Sequence, residues 1–335
     1  MKAVLLRGFG GPEVLELGQA EKPSPSAGQV LIRVIATSVN RPDIVQREGN
    51  YPPPKGDSEI LGLEVSGVVD EVGEDVSGWS QGDRVMALVG GGGYAEYAVA
   101  YAGHCMRIPE SMSFAEAACV CETYITAFLN IFMIGGLSDG DTIVLHGGGG
   151  GVNTAGIQLC KTLTPDARII VTASKGKIDR VKELGAHFVV DYKEQDFAEE
   201  VRNYTKKKGA SVIIDHIGAE YLSANMRALG VEGKLVIIGI MSGGIAEINL
   251  GLLMVKRQQV IGSVLRSRSV QEKANIISAF TESVLPNLAD GTITPIIDRI
   301  FPIAEVAQAH RTMEAGTHFG KIVLTIGSDI DERET

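Results

Sequence analysis

Five glycines in succession, Gly147–Gly151, sit inside VLHGGGGGVNTAGIQL (144–159), between a short apolar run and a helical spacing of apolar residues. Glycines at a strand-to-helix turn let the backbone approach a diphosphate, and the helix that follows adds N–H donors and a favourable dipole. In the G-x-G-x-x-G register the stretch reads Gly148-x-Gly150-x-x-Asn153, so an asparagine stands in the third glycine's place. That glycine serves helix-on-strand packing rather than phosphate contact. The cradle reading therefore survives, with three ways to fit Asn153: a shifted first turn, use of the room left by Gly156, or a cap on the helix start. A flexible loop is the alternative for the whole run.

The second strand-like run ends in Ala173-Ser174-Lys175-Gly176-Lys177. An NAD site usually carries Asp or Glu there, bonded to the ribose hydroxyls. Here a hydroxyl and two ammonium groups replace it, and these attract a 2′-phosphate. Ser174 and Lys177 thus favour NADPH over NADH; the alternative is lysines that only solvate an exposed turn. Tyr192, at the end of the third run, is a candidate for the same ribose.

The elements needed to hold such a turn are present. The first third reads as short β-strands, among them GQVLIRVIAT, LEVSGVVDEVG and GDRVMAL, separated by Pro- and Gly-rich loops. From about residue 123, six near-continuous apolar runs alternate with helical patterns, from DTIVLHG to QVIGSVL. That rhythm predicts a doubly wound parallel sheet covered on both faces, with ligands beyond the carboxyl ends of its strands. A long helix, a short strand, a second helix and a last strand (KIVLTI) follow. The last strand is expected to rejoin the β-rich part, so the nucleotide domain reads as an insertion into it. The tail GSDIDERET is expected to fray.

Composition excludes several classes. The 335 residues carry a net charge of −10, which argues against general binding to nucleic acid or an anionic membrane. The Lys206–Lys208 cluster reads as the end of a helix. No secretory leader or 20-residue apolar span is visible. Cys105, Cys119, Cys121 and Cys160 form no disulfide framework and read as reduced residues of a cytoplasmic protein. Cys119-x-Cys121 and His104-Cys105 lack a second spaced pair and read as buried small side chains rather than metal ligands.

With these features together, the chain resembles the medium-chain dehydrogenase/reductase superfamily, in its zinc-free quinone oxidoreductase branch. The resemblance is carried by GGPEVLEL, NRPDIVQREGNYPPP, ILGLEVSGVV, MALVGGGGYAEY, GGVNTAGIQL, VLRSR, AFTESVLPNL and GKIVL. It implies an α/β architecture in which a Rossmann domain (123–265) is inserted into a GroES-like β-rich catalytic domain (1–122 plus 266–335), with the site between them. In zinc-dependent relatives the place of Asn40 holds a Cys ligand and that of Leu63 a His; neither Asn nor Leu replaces them, so no zinc is expected. Without a Lewis acid, alcohol oxidation is hard, whereas a quinone accepts hydride once aligned and offered a hydrogen bond.

The resemblance also implies roles. Asn40 and Tyr51 flank the nicotinamide and acceptor, with the Tyr51 phenol as proton donor. Thr126 contacts the nicotinamide, and Gly149, Gly150, Gly151 and Val152 cradle the diphosphate. Ser174, Lys177 and Tyr192 match the 2′-phosphate site, Ile240 and Met241 the switch-point crevice, and Lys321 reaches the cofactor from the other domain. Glu64 reads as structural support. The expected activity is NADPH-dependent quinone reduction by a homodimer paired through QVIGSVL. The alternatives are an alkenal or enone reductase and a non-catalytic NADPH-binding protein of the crystallin kind, with RNA disfavoured by the acidic charge.

Overall fold

The computed structural model describes residues 1–327, so the acidic tail from residue 328 lies outside the described residues. The chain divides into two compact units, Met1–Ile125 with the segment from Arg266 onward, and Thr126–Leu265.

The first unit opens with β1 (Lys2–Leu6) and β2 (Leu15–Gln19), a two-stranded antiparallel ribbon. Then come β3 (Gln29–Val39), α1 (Arg41–Arg47), β4 (Glu64–Val72), β5 (Arg84–Leu88), β6 (Tyr97–Tyr101), β7 (Cys105–Arg107) and α2 (Phe114–Ala117). β3 is long, Val- and Ile-rich and almost wholly buried, because it lies at the centre of the unit. It pairs with β4 along most of its length and with β6 through Gln29–Arg33. Register shifts at Leu31/Ile32 and Val34/Ala36 mark irregularities in the β3–β4 ladder, of the kind that bends a strand toward several partners. Val30, Ile32, Val34, Val65, Val69 and Val85 form the core beneath.

The chain enters the second unit within α3 (Thr123–Phe128), which continues as a π-helical stretch, Leu129–Ile134. Strands and helices then alternate: β8 (Thr142–His146), α4 (Gly151–Leu163), β9 (Arg168–Ala173), α5 (Ile178–Leu184), β10 (Phe188–Asp191), α6 (Phe197–Tyr204), β11 (Ala210–Asp215), α7 (Ala219–Ala228), β12 (Leu229–Ile237), α8 (Leu250–Val255) and β13 (Gln259–Gly262). All six strands are parallel, in the order β10-β9-β8-β11-β12-β13. The order reverses between β8 and β11, and the glycine turn leaves β8 at that reversal. All five residues of β8 are buried, which is why its sequence shows no alternation.

The chain returns through α9 (Val270–Ala289), β14 (Ile297–Pro302), α10 (Val306–Glu314) and β15 (Lys321–Thr325). β15 pairs antiparallel with β3, setting Ile322 opposite Val39. The first unit is thus closed by its last strand, and Lys321 arrives beside the start of α1.

Candidate functional site

In the second unit the glycine turn joins β8 to the head of α4. Gly147 has a φ of +75°, which few other residues adopt. Gly148 lies so close to the neighbouring strand that an added Cβ would meet Val171 Cγ1 at 2.4 Å. Gly150 caps α4 without any side chain, and no backbone acceptor takes the N–H of Gly149, Gly151 or Val152 among the described residues. Donors at the head of a 13-residue helix, with no Cβ in front of them, fit a diphosphate.

Asn153 neither caps α4 nor fills the room at Gly156. It is buried in the first turn of α4, and its Nδ2 donates backward to the carbonyls of His146 and, at 3.0 Å, Gly147. The side chain thereby ties the helix to the end of β8. The close approach of helix to strand falls one turn later, where a Cβ on Gly156 would meet Leu145 at 3.3 Å.

Around this turn, β10 pairs with β9 so that Asp191 lies opposite Ala173; the following residues, Tyr192 and Ser174, leave adjacent strand ends. Tyr192 is exposed. Lys177 lies across the glycines: a Cβ on Gly149 would meet its Cδ at 2.4 Å and its Nζ at 2.9 Å. No carboxylate occupies the end of β9. Ile240 and Met241 follow β12 and are exposed, with the Met241 N–H held by His216 O at 3.1 Å. The Thr126 carbonyl accepts from Asn130 Nδ2 at 2.7 Å inside the irregular helical stretch.

In the first unit the polar side chains converge on Glu64, which is fully buried at the start of β4. Its Oε1 accepts from Ser38 Oγ (2.6 Å), Asn40 Nδ2 (3.0 Å) and Lys321 Nζ (2.9 Å), and its Oε2 from the backbone N–H of Glu122 (2.8 Å). Asn40 precedes α1, and Asp43, one turn on, accepts from its N–H at 2.7 Å. Lys321 also donates to Asn40 Oδ1 (2.5 Å) and Val39 O (3.5 Å). The ammonium expected to extend toward a cofactor is therefore turned inward, only 3% exposed, with three acceptors around it. Glu64 thus gathers donors from β3, the start of α1, β15 and the residue before α3.

Tyr51 is half-buried beneath Arg266, whose guanidinium carbon lies 5.1 Å from the ring centroid. Arg266 is itself fixed by Gly90 O, at 2.9 Å from Nε and 2.6 Å from Nη2. Behind α1, the Tyr94 hydroxyl lies 3.2 Å from both Asp43 Oδ2 and His310 Nε2. Burial raises the Asp43 carboxyl to about 6. The four cysteines are buried, and desolvation holds their thiols well above the ordinary range. Among the described residues no three His, Cys, Asp or Glu side chains are grouped to hold a metal ion, and no helix is long and apolar enough to cross a membrane.

Residues 26–110 match the alcohol dehydrogenase GroES-like domain family and residues 184–324 the zinc-binding dehydrogenase family. Human quinone oxidoreductase is 31% identical over 330 residues, covering 97% of this chain and 98% of that protein. The chain belongs to the medium-chain dehydrogenase/reductase superfamily. Its membership makes it an oxidoreductase with quinone oxidoreductases and zeta-crystallin-like proteins among its relatives. The solved structure of Escherichia coli quinone oxidoreductase complexed with NADPH is 25% identical with a TM-score of 0.87, covering 97% of this chain and all of that one (100%). The CurK enoyl reductase structure is 26% identical with a TM-score of 0.86, covering 97% of this chain and 99% of that one.

Two members of the first-unit cluster escaped the sequence. Glu122 stands directly before a helix, where an acid reads as an ordinary partner of the helix dipole. Arg266 lies in VLRSR, which carried the family resemblance, but nothing local indicates that its guanidinium covers Tyr51.

Proposed function

We propose that this oxidoreductase uses NADPH to reduce quinones without a metal. One observation carries the reading: an amide and an ammonium, Asn40 and Lys321, surround the Glu64 carboxylate beside α1. Metal-dependent alcohol chemistry needs thiolate and imidazole donors in such a site, and an ammonium among the donors repels a second cation. Bound NADPH would supply the hydride. The chain's part is to bind, orient and hydrogen-bond. The N–H groups of Gly149, Gly151 and Val152, with Gly150 between them, would hold the diphosphate. Ser174, Lys177 and Tyr192 would hold the 2′-phosphate, and Thr126, Ile240 and Met241 the nicotinamide end. Asn40 and Tyr51 would face the acceptor on the first unit.

The quinone-reducing relatives support this acceptor class, and the enoyl reductase neighbour supports a second reading, reduction of enones or alkenals. The test is steady-state NADPH oxidation with 1,2-naphthoquinone and with an alkenal, before and after chelation. Quinone turnover that survives chelation is the expected result. Preference for the alkenal selects the second reading, and silence with both points to a protein that only binds NADPH. We further propose a cytoplasmic homodimer, supported by the apolar edge at β13.

A further inference from the structure

One carboxyl near Asn40 is left without a partner. The Glu122 main chain is pinned to Glu64, the same carboxylate that holds the Asn40 amide. The Glu122 side chain, partly buried, makes no hydrogen bond or ion pair among the described residues. Every cation close enough to act on it is already engaged. Lys321 is held by Glu64, Asn40 and Val39. Arg266 is held by Gly90 O and, at 3.4 Å, Tyr51 O, and Lys273 donates to Arg266 O at 3.2 Å.

A carboxyl crowded by other carboxylates resists giving up its proton. Burial, with Glu64 and Asp43 adding to it, pushes Glu122 up to about 8 against the opposing pull of Lys321 and Arg266. The rival donor is Tyr51, near enough to feel the charge of Glu122. Burial, with Glu122 adding to it, holds that phenol above its ordinary value of about 10. Glu122 is the stronger acid of the two, and the upward shift favours its protonated form at neutral pH, which is what a general acid needs.

We propose that Glu122 is the proton donor of the reduction, its unpaired carboxyl, on the residue whose main chain is tied to the carboxylate that also holds Asn40, protonating the oxygen of the bound acceptor. The proposal rests on the reductase reading above. Bound NADPH would supply a hydride (one proton and two electrons) to the conjugated acceptor, whose oxygen would gain negative charge. The Glu122 O–H bond breaks, a new O–H bond forms to that oxygen, and the carboxylate regains a proton from water. Glu64 acts through Glu122 as a positioning residue, fixing its main chain.

Glu122→Gln keeps the shape and removes the acid. Its turnover is expected to fall about a hundredfold, with NADPH affinity by fluorescence titration unchanged. The decline of wild-type turnover as pH rises through about 8 is expected to be missing from the variant. A second measurement needs no turnover. The infrared spectrum of the free wild-type protein should show a carboxylic acid titrating near that pH, absent from Glu122→Gln. A wild-type spectrum without that titration overturns the proposal even where the variant fails to fold. Turnover by the wild type together with an unchanged rate and pH profile in Glu122→Gln overturns Glu122 alone. Wild-type silence with quinone and alkenal alike overturns the reductase reading, and the acid role with it.

Discussion

Lys177 has two phosphates within its reach on the proposed reading. Its stem and ammonium lie over Gly149, where a diphosphate would sit, while Ser174 and Tyr192 mark the neighbouring ribose position. A charge-assisted hydrogen bond contributes about 1.5–3 kcal/mol, or roughly 10- to 150-fold in affinity. Lys177→Ala is therefore expected to weaken NADPH by at least about tenfold and NADH by less, read by fluorescence titration of each. Equal losses would assign the lysine to the diphosphate and leave the choice of cofactor to Ser174 and Tyr192. The types of these residues were legible in the sequence; their directions were not. Asn153 stood out as a departure, yet its backward bonds to His146 and Gly147 depend on where β8 ends in space. Lys321 and the Glu122 main chain both reach Glu64, from β15 and from the residue before α3, a neighbourhood that no local spacing encodes.

Among the elements, the strands of the parallel sheet were the most readable, because burial on both faces writes long apolar runs. Neither β6 nor the three-residue β7 stood out in the sequence; three residues carry too little periodicity to read. β13 is the element with a visible unmet need. It is an edge strand of the six-stranded sheet, and exposed apolar side chains lie on it and nearby: Val260 on the strand, with Leu250, Met254 and Val255 on α8. An apolar, unpaired edge invites a second strand, and a two-fold pairing of like edges closes the assembly. Val260→Lys places a charge on that edge. Sedimentation velocity is expected to show a dimer for the wild type and a monomer for the variant, each with unchanged circular dichroism. A monomeric wild type, or a dimeric variant, would remove β13 from the interface.

For the whole molecule, buried titratable groups divide stability between two opposing trends with pH. His146 lies between Thr172 Oγ1 (3.1 Å) and Asn225 Oδ1 (2.7 Å), and burial lowers it to about 3. His310, buried beside Arg47, is lowered to about 3 as well. In the unfolded chain both return to an ordinary value near 6.5. Below that value the unfolded chain therefore binds protons that the folded one refuses, so each histidine contributes stability above about pH 6.5 that is lost as pH falls toward 3. Asp43 and Asp215 run the other way. Burial raises both to about 6, so the folded chain holds protons the unfolded chain has released, and their contribution is lost as pH rises from 3.8 through 6. Between about pH 4 and 6 the two pairs offset each other, which hides both in a plain melting curve. Removing one member exposes the balance. With His146→Gln, the stability difference from wild type is expected to move in the variant's favour as pH falls from 6.5 to 4, by up to about 1.4 kcal/mol per pH unit. The hydrogen bonds lost with the imidazole add a constant offset that the pH series subtracts. Urea unfolding across that range measures the slope, and a difference independent of pH would mean that His146 is protonated in the folded protein.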